Sequence, residues 1–120
     1  MGGRVLVVDD HPGFRGFARR LLEAAGYADV REAGDGASAR EAVREHRPDV
    51  VLLDVLLPDT TGFELADELC AESGGPVVVL TSSRTAADFG GSVERSRARG
   101  FIAKRDLTVS ALAELLEGAA

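Results

Sequence analysis

The chain has a single cysteine, Cys70, among its 120 residues, which excludes an internal disulfide. Cys70 falls in an apolar helical pattern and reads as core packing rather than a redox site. No apolar run is long enough to cross a bilayer; the longest are stretches such as Val50 to Leu53 and Val77 to Leu80. The start, Met1-Gly2-Gly3-Arg4, passes straight into an apolar strand with no signal-peptide pattern, so the expected location is the cytoplasm, with no membrane partner. A basic cluster is missing too. The formal net charge is −6, and an acidic surface repels phosphate backbones, which argues against direct nucleic-acid binding. Internal repeats, low-complexity tracts and linkers are absent.

What remains is ordinary globular composition, 45% hydrophobic and 28% charged, at a length that suits one domain over residues 1–120. Apolar runs alternate with helical periods five times. Val5-Leu6-Val7-Val8 predicts a buried strand bounded by Asp9 and Asp10. Phe14, Phe17, Ala18, Leu21, Leu22 and Ala25 then share a helical face, opened by Pro12 and ended by Gly26. A shorter strand around Val30 to Ala33 leads through Asp35-Gly36 into a helix with Ala39, Ala42, Val43 and His46 on one side, stopped by Pro48. Val50 to Leu53 is the second strongly apolar strand and ends on Asp54. After the turn-forming loop Pro58 to Gly62, Leu65, Ala66, Leu69 and Cys70 form a stripe that Gly74-Gly75-Pro76 breaks.

Val77 to Leu80 predicts a third buried strand, ending on Thr81. The segment from Ser82 to Arg99 contains Gly90-Gly91, which together cost a helix roughly 2 kcal/mol against alanine, so a late-starting or mobile helix is expected there. Phe101-Ile102-Ala103 is a short strand ending on Lys104. Thr108 is placed to cap a final helix with the stripe Val109, Leu112, Ala113 and Leu116. Strands alternating with helices imply a parallel sheet covered on both faces. Right-handed crossovers make it a doubly wound α/β sandwich that binds ligands outside the carboxyl ends of its strands.

Those strand ends carry the polar residues. Asp9-Asp10 ends the first, Asp54 the third, Thr81 the fourth and Lys104 the fifth, and a parallel sheet brings them to one edge. Three carboxylates in one pocket repel unless something positive compensates. Lys104 supplies one charge, and a divalent cation supplies the other two. Hard oxygen ligands suit Mg²⁺, with Mn²⁺ as an alternative.

This constellation resembles the receiver domains of bacterial response regulators along the whole chain. The family's acidic pair falls on Asp9 and Asp10, and its phosphoacceptor on Asp54. Pro58 and Gly62 stand at the family spacings, the hydroxyl residue is Thr81, the aromatic switch residue Phe101 and the lysine Lys104. Each match alone is weak; all of them in order at the right strand ends are specific. The resemblance implies a five-stranded parallel sheet of order 2-1-3-4-5, flavodoxin-like. It also implies a metal site of Asp10, Asp54, Asp9 (partly through water) and the backbone carbonyl of Leu56.

On that resemblance, Asp54 takes a phosphoryl group from a sensor histidine kinase or a small phosphodonor, while Lys104 pairs with a phosphoryl oxygen. Thr81 and Phe101 then turn, and the helix 4–strand 5–helix 5 surface changes for a downstream partner or output domain. The family also allows homodimers on phosphorylation through the last helices. Such a domain catalyses its own phosphorylation and dephosphorylation but is not a turnover enzyme. Leu56 and Ser83 flank the path of the attacking water and should tune the phosphoryl lifetime.

Ordinary readings compete at several positions. Asp9-Asp10 alone could cap a helix, Asp54 alone could be a loop acid, Thr81-Ser82-Ser83 is common loop composition, and Phe101 could be only a buried strand aromatic. His11 reads as a partly solvated residue opening the first helix, with tuning of the metal or of a pH response as the alternative. His46 reads as a helix-dipole contact, and Arg95, Arg97 and Arg99 as a solvated helix face.

Two departures from the family stand out. Arg105 replaces the proline that often follows the lysine, so no cis peptide is required there. The run Lys104-Arg105-Asp106-Leu107 resembles the subgroup that often carries a helix-turn-helix output domain. The methionine start and the end soon after the last helix favour a stand-alone receiver over a truncated chain. Two other functions fit the sequence less well. A phosphatase of the haloacid-dehalogenase type needs a second aspartate where Leu56 stands, and a cap insertion as well. A receiver-like interaction module freed from phosphate has no reason to keep a repulsive acid cluster.

Overall fold

A computed structural model describes residues 3–71 and 73–117. Met1, Gly2 and Gly118 to Ala120, at the ends of the expected domain, lie outside the described residues, as does Glu72. Five strands form one parallel sheet in the order β2-β1-β3-β4-β5. They are β1 (Arg4–Val8), β2 (Asp29–Ala33), β3 (Val50–Asp54), β4 (Val77–Ser82) and β5 (Gly100–Ala103). The helices are α1 (Pro12–Ala24), α2 (Gly36–His46), α3 (Gly62–Ala71), α4 (Ser92–Arg95) and α5 (Val109–Glu117).

Period-two alternation in buried strands feeds two cores. Val5, Val7, Val50, Leu52, Val79 and Ile102 pack with Ala18 and Leu22 of α1 and with Leu107 and Leu112. Leu6, Val8, Val51, Leu53, Val78 and Leu80 pack on the other face with Ala39 of α2 and Leu65, Ala66 and Leu69 of α3. Strands that are apolar on both faces have no solvated side, which is why the sheet lies in the middle.

The helix ends follow local chemistry. Pro12 stands at the first position of α1, and Gly26 closes it at φ 100°. Asp35 caps α2 by accepting the Ser38 N–H at 2.8 Å. Thr108 caps α5 by accepting from the Ala111 N–H at 3.0 Å, as the sequence predicts.

Several expectations need correction. Phe17 and Val109, placed on the apolar faces of α1 and α5, are exposed to 44% and 43%. A β-sheet covers only part of each helix, and these two lie beyond its reach; Leu115 joins the α5 core instead. The late start expected after Gly90-Gly91 is seen, but α4 is a single turn, preceded by a 3₁₀ turn over Ala86–Phe89. Arg97 and Arg99 therefore share no helix face with Arg95. The Arg97 N–H donates to Asp67 at 2.9 Å, and the Arg99 guanidinium donates to the carbonyls of Leu115 and Leu116 at 3.3 and 3.2 Å. That second contact satisfies carbonyls near the end of α5. His46 closes α2 but is buried, with Nε2 3.8 Å from the Asp29 carboxylate.

Candidate functional site

Parallel pairing sets β3 beside both β1 and β4, and puts Asp54 opposite Thr81. The residues that end β1, β3, β4 and β5 meet at one edge. Asp9 is fully buried just past β1, its N–H donating to the Ala33 carbonyl at 3.0 Å. Its Oδ1 accepts the His11 N–H at 2.9 Å, and its Oδ2 lies 2.7 Å from Lys104 Nζ. Asp54, the last residue of β3, is also buried. Its Oδ1 accepts the Leu56 N–H at 3.3 Å, and its Oδ2 lies 3.5 Å from Lys104 Nζ. The ammonium thus sits closer to Asp9 than to Asp54.

Thr81 is fully buried beside Asp54, and its hydroxyl has no hydrogen-bond partner among the described residues. A buried hydroxyl with nothing to bond is costly and rare. Asp10 turns outward and is the most solvated carboxylate of the group. Leu56 exposes its side chain to 48%, and Ser83 is exposed. Phe101 is half-buried on β5, its ring 6.2 Å from Phe89, which in turn stands edge-on to Phe63 at 5.5 Å.

Burial and the neighbouring Asp9 charge push the Asp54 carboxyl up to about 6, against the opposing pull of Lys104. One ligand atom each from Asp9, Asp10, His11 and Asp54 lies within 4.8 Å of the others. Three carboxylates against one ammonium leave two negative charges, which one divalent ion cancels. Oxygen donors of this kind fit a hard divalent cation.

His11 stands at the N-cap position of α1 without a side-chain capping bond and has a side chain 70% exposed, as a solvated opening residue should be, yet its Nδ1 stands 3.1 Å from carboxylate oxygens of both Asp9 and Asp10. Other supports carry no local sequence signal. Arg15 donates to the Asp9 carbonyl at 2.7 Å and to Glu32 at 3.1 Å, fixing the backbone of the acidic turn. Asp59 accepts the N–H groups of Gly36 and Ala37 at 2.7 and 3.0 Å, tying the loop after β3 to the first turn of α2. Phe14 on α1 sets its ring under Lys104, with Nζ 4.6 Å from the ring centroid. Gly62 has its reason in contact: a Cβ there would lie 2.5 Å from the Asp54 carbonyl oxygen and 2.8 Å from the Val55 Cα. No cis peptide occurs among the described residues.

The strand order and the acids gathered at its carboxyl edge define a flavodoxin-like protein of the doubly wound class. The response regulator receiver domain family matches residues 5–117, and the chain belongs to that family of two-component signalling proteins. The DNA-binding response regulator MtrA of Mycolicibacterium smegmatis is 43% identical over 88 residues, covering 73% of this chain and 38% of the relative. A putative transcriptional regulator of Pseudomonas aeruginosa is 34% identical over 103 residues, covering 86% of this chain and 50% of the relative. The chain thus spans from under two-fifths to half the length of these relatives.

Among solved structures, the receiver domain of the putative response regulator NarL from Mycobacterium tuberculosis superposes with a TM-score of 0.80 at 31% identity, covering 96% of this chain and 97% of that one. A LuxR-family two-component response regulator from Aurantimonas sp. SI85-9A1 gives a TM-score of 0.84 at 31% identity, covering 98% of this chain and 87% of that one. The phosphatase reading finds no support in these comparisons. No helix among the described residues is long and apolar enough to cross a membrane.

Proposed function

We propose that this receiver is a phosphorylation switch whose acceptor is Asp54. The observation that carries the reading is a buried carboxylate with a lysine ammonium on one side and an unpartnered buried hydroxyl, that of Thr81, on the other. An Asp54 oxygen bonds to the phosphorus of a histidine kinase's phosphohistidine or of a small phosphodonor. The P–N bond, or the donor's P–O bond, breaks as the acyl phosphate forms, and the leaving imidazole takes up a proton. The chain is used once per signal and regenerated by hydrolysis, so it acts as a self-phosphorylating acceptor and not as a turnover enzyme.

Lys104 then leaves Asp9 for a phosphoryl oxygen, a short move because Asp54 is already within 3.5 Å. A Mg²⁺ or Mn²⁺ ion held by Asp10 and Asp54, with Asp9 partly through water and the Leu56 carbonyl, would supply the remaining charge neutralisation. Phosphorylation adds about −1.5 to −2 charge and three acceptor oxygens. The Thr81 hydroxyl turns to one of them, and Phe101 follows into the space released. The surface of α4, β5 and α5 carries the change to a downstream protein or output domain, with homodimerisation as one route. The receiver is expected to act in the cytoplasm, without binding nucleic acid directly.

Acetyl phosphate with Mg²⁺ tests the acceptor. Wild type should gain one phosphoryl group by mass spectrometry and Asp54→Ala none; labelling that persists in the variant moves the acceptor elsewhere. Beryllofluoride with Mg²⁺ should shift the amide NMR signals around Asp54, Thr81 and Phe101. A spectrum that does not change there sinks the switch.

A further inference from the structure

Around the Lys104 ammonium stand the Asp9 carboxylate at 2.7 Å, the Asp54 carboxylate at 3.5 Å, and the face of the Phe14 ring at 4.6 Å. Only the ring belongs to no acid. Phe14 sits in the first turn of α1, half-buried, packed on the core below it and 6.2 Å from the Phe17 ring. It is therefore held from two sides while its face is offered to the lysine. The Lys104 side chain is 17% exposed, so little water competes for the ammonium, and a cation over a ring gains most when partly desolvated.

We propose that Phe14 is a positioning residue of the switch, its ring face holding the Lys104 ammonium at the acceptor while the ammonium changes partners from Asp9 to the phosphoryl group on Asp54. The ion pair with Asp9 at 2.7 Å is a close, single-point contact that must lengthen when Lys104 moves. Attraction to the negative face of a ring is broad, so the ammonium can slide across it without losing contact. Asp9 and Asp54 both lie in reach of the ammonium, at 2.7 and 3.5 Å, but each contact weakens as the other strengthens. The ring keeps it within reach of both.

The inference rests on Lys104 acting at the phosphoryl group, as proposed above, and its test separates the two. The ring face is weakened without change of shape by placing 4-fluoro, 3,5-difluoro and 3,4,5-trifluorophenylalanine site-specifically at position 14. The rate of Asp54 labelling by acetyl phosphate with Mg²⁺ should fall stepwise along the series, by about 3-fold to 30-fold at the trifluoro end. Phe14→Leu should fall at least as far, and Phe14→Tyr should recover the rate relative to Leu. The ε-methylene protons of Lys104 should be shifted upfield by the ring in wild type, and this shift should vanish in Phe14→Leu.

A purely structural Phe14 predicts a flat fluorination series, with Phe14→Leu keeping the labelling rate once its folding is confirmed by melting temperature. Either result overturns the inference, as does a Lys104 ε-shift at its ordinary position in wild type. Lys104→Met is the control on the underlying reading: normal labelling in that variant brings down the role of Lys104, whatever Phe14 does.

Discussion

Asp54 carries opposite demands as a single residue. The proposed role as acceptor requires it to be ionised, but burial and Asp9 oppose ionisation and raise its carboxyl from 3.8 to about 6. The folded state then keeps a proton that the unfolded chain releases. The contribution of Asp54 to stability is thus intact below pH about 4, is lost as pH rises through 6, and stays lost above that. Asp54→Asn, which cannot ionise, should be more stable than wild type by about 1–3 kcal/mol at pH 7.5 without metal, and equal to it near pH 4. Urea denaturation of both proteins across pH measures the difference; a gap that fails to widen between pH 4 and 7 refutes the assignment. Gly62 is a second residue with a decided outcome. Its missing Cβ makes room for the carbonyl of Asp54 itself, so Gly62→Ala should cost about 1–3 kcal/mol and slow labelling by acetyl phosphate by displacing Asp54, the proposed acceptor. Denaturation midpoints and labelling rates check both effects, and a variant with wild-type values in each contradicts the contact.

Most elements could be read from the sequence, because strongly apolar runs bounded by Asp, Pro and Gly leave few alternatives. The four polar strand ends were legible for the same reason: parallel pairing turns position in the chain into position at an edge. What escaped reading depends on contacts between distant segments. Asp59 looks like a loop acid until the first turn of α2 arrives beside it. The partnership of Lys104 with Asp9, closer than with Asp54, joins the turn after β1 to the end of β5, although the strand order sets β3 nearer to β5. Phe14 looks like one more apolar residue on a helix. The α4 region shows how far local signals go. Gly90 lies at φ 60°, ψ −133°, a conformation that L side chains rarely adopt, whereas Gly91 lies at φ −89° with only the far end of Arg95 near its missing Cβ. Both weaken a helix by propensity, yet only the first is needed as glycine. Gly90→Ala should destabilise by about 1–3 kcal/mol, while Gly91→Ala should stay within roughly 0.5 kcal/mol of wild type. Thermal melts of the two variants decide it, and equal losses would mean that helix propensity alone governs the segment.

At the scale of the whole molecule, the fold concentrates negative charge where apolar strands end. A chain of net charge −6 gathers Asp9, Asp10 and Asp54 at one edge with one lysine among them. The metal-free fold is therefore held below its attainable stability by its own site, and the same carboxylates that destabilise it reward a divalent ion. An ion that binds the folded site and not the unfolded chain adds stability by mass action, about 2.7 kcal/mol at one hundred times its dissociation constant. At pH 7.5 the melting temperature should rise by several degrees as Mg²⁺ is added, saturating with concentration. The same ionic strength of NaCl should give much less, since screening acts weakly on buried pairs. Asp10→Asn should blunt the Mg²⁺ response while leaving the core intact, because Asp10 is solvated and has no lysine partner. A melting temperature that follows ionic strength alone, or an Asp10→Asn protein that responds like wild type, would mean that these carboxylates are compensated by something other than a bound ion.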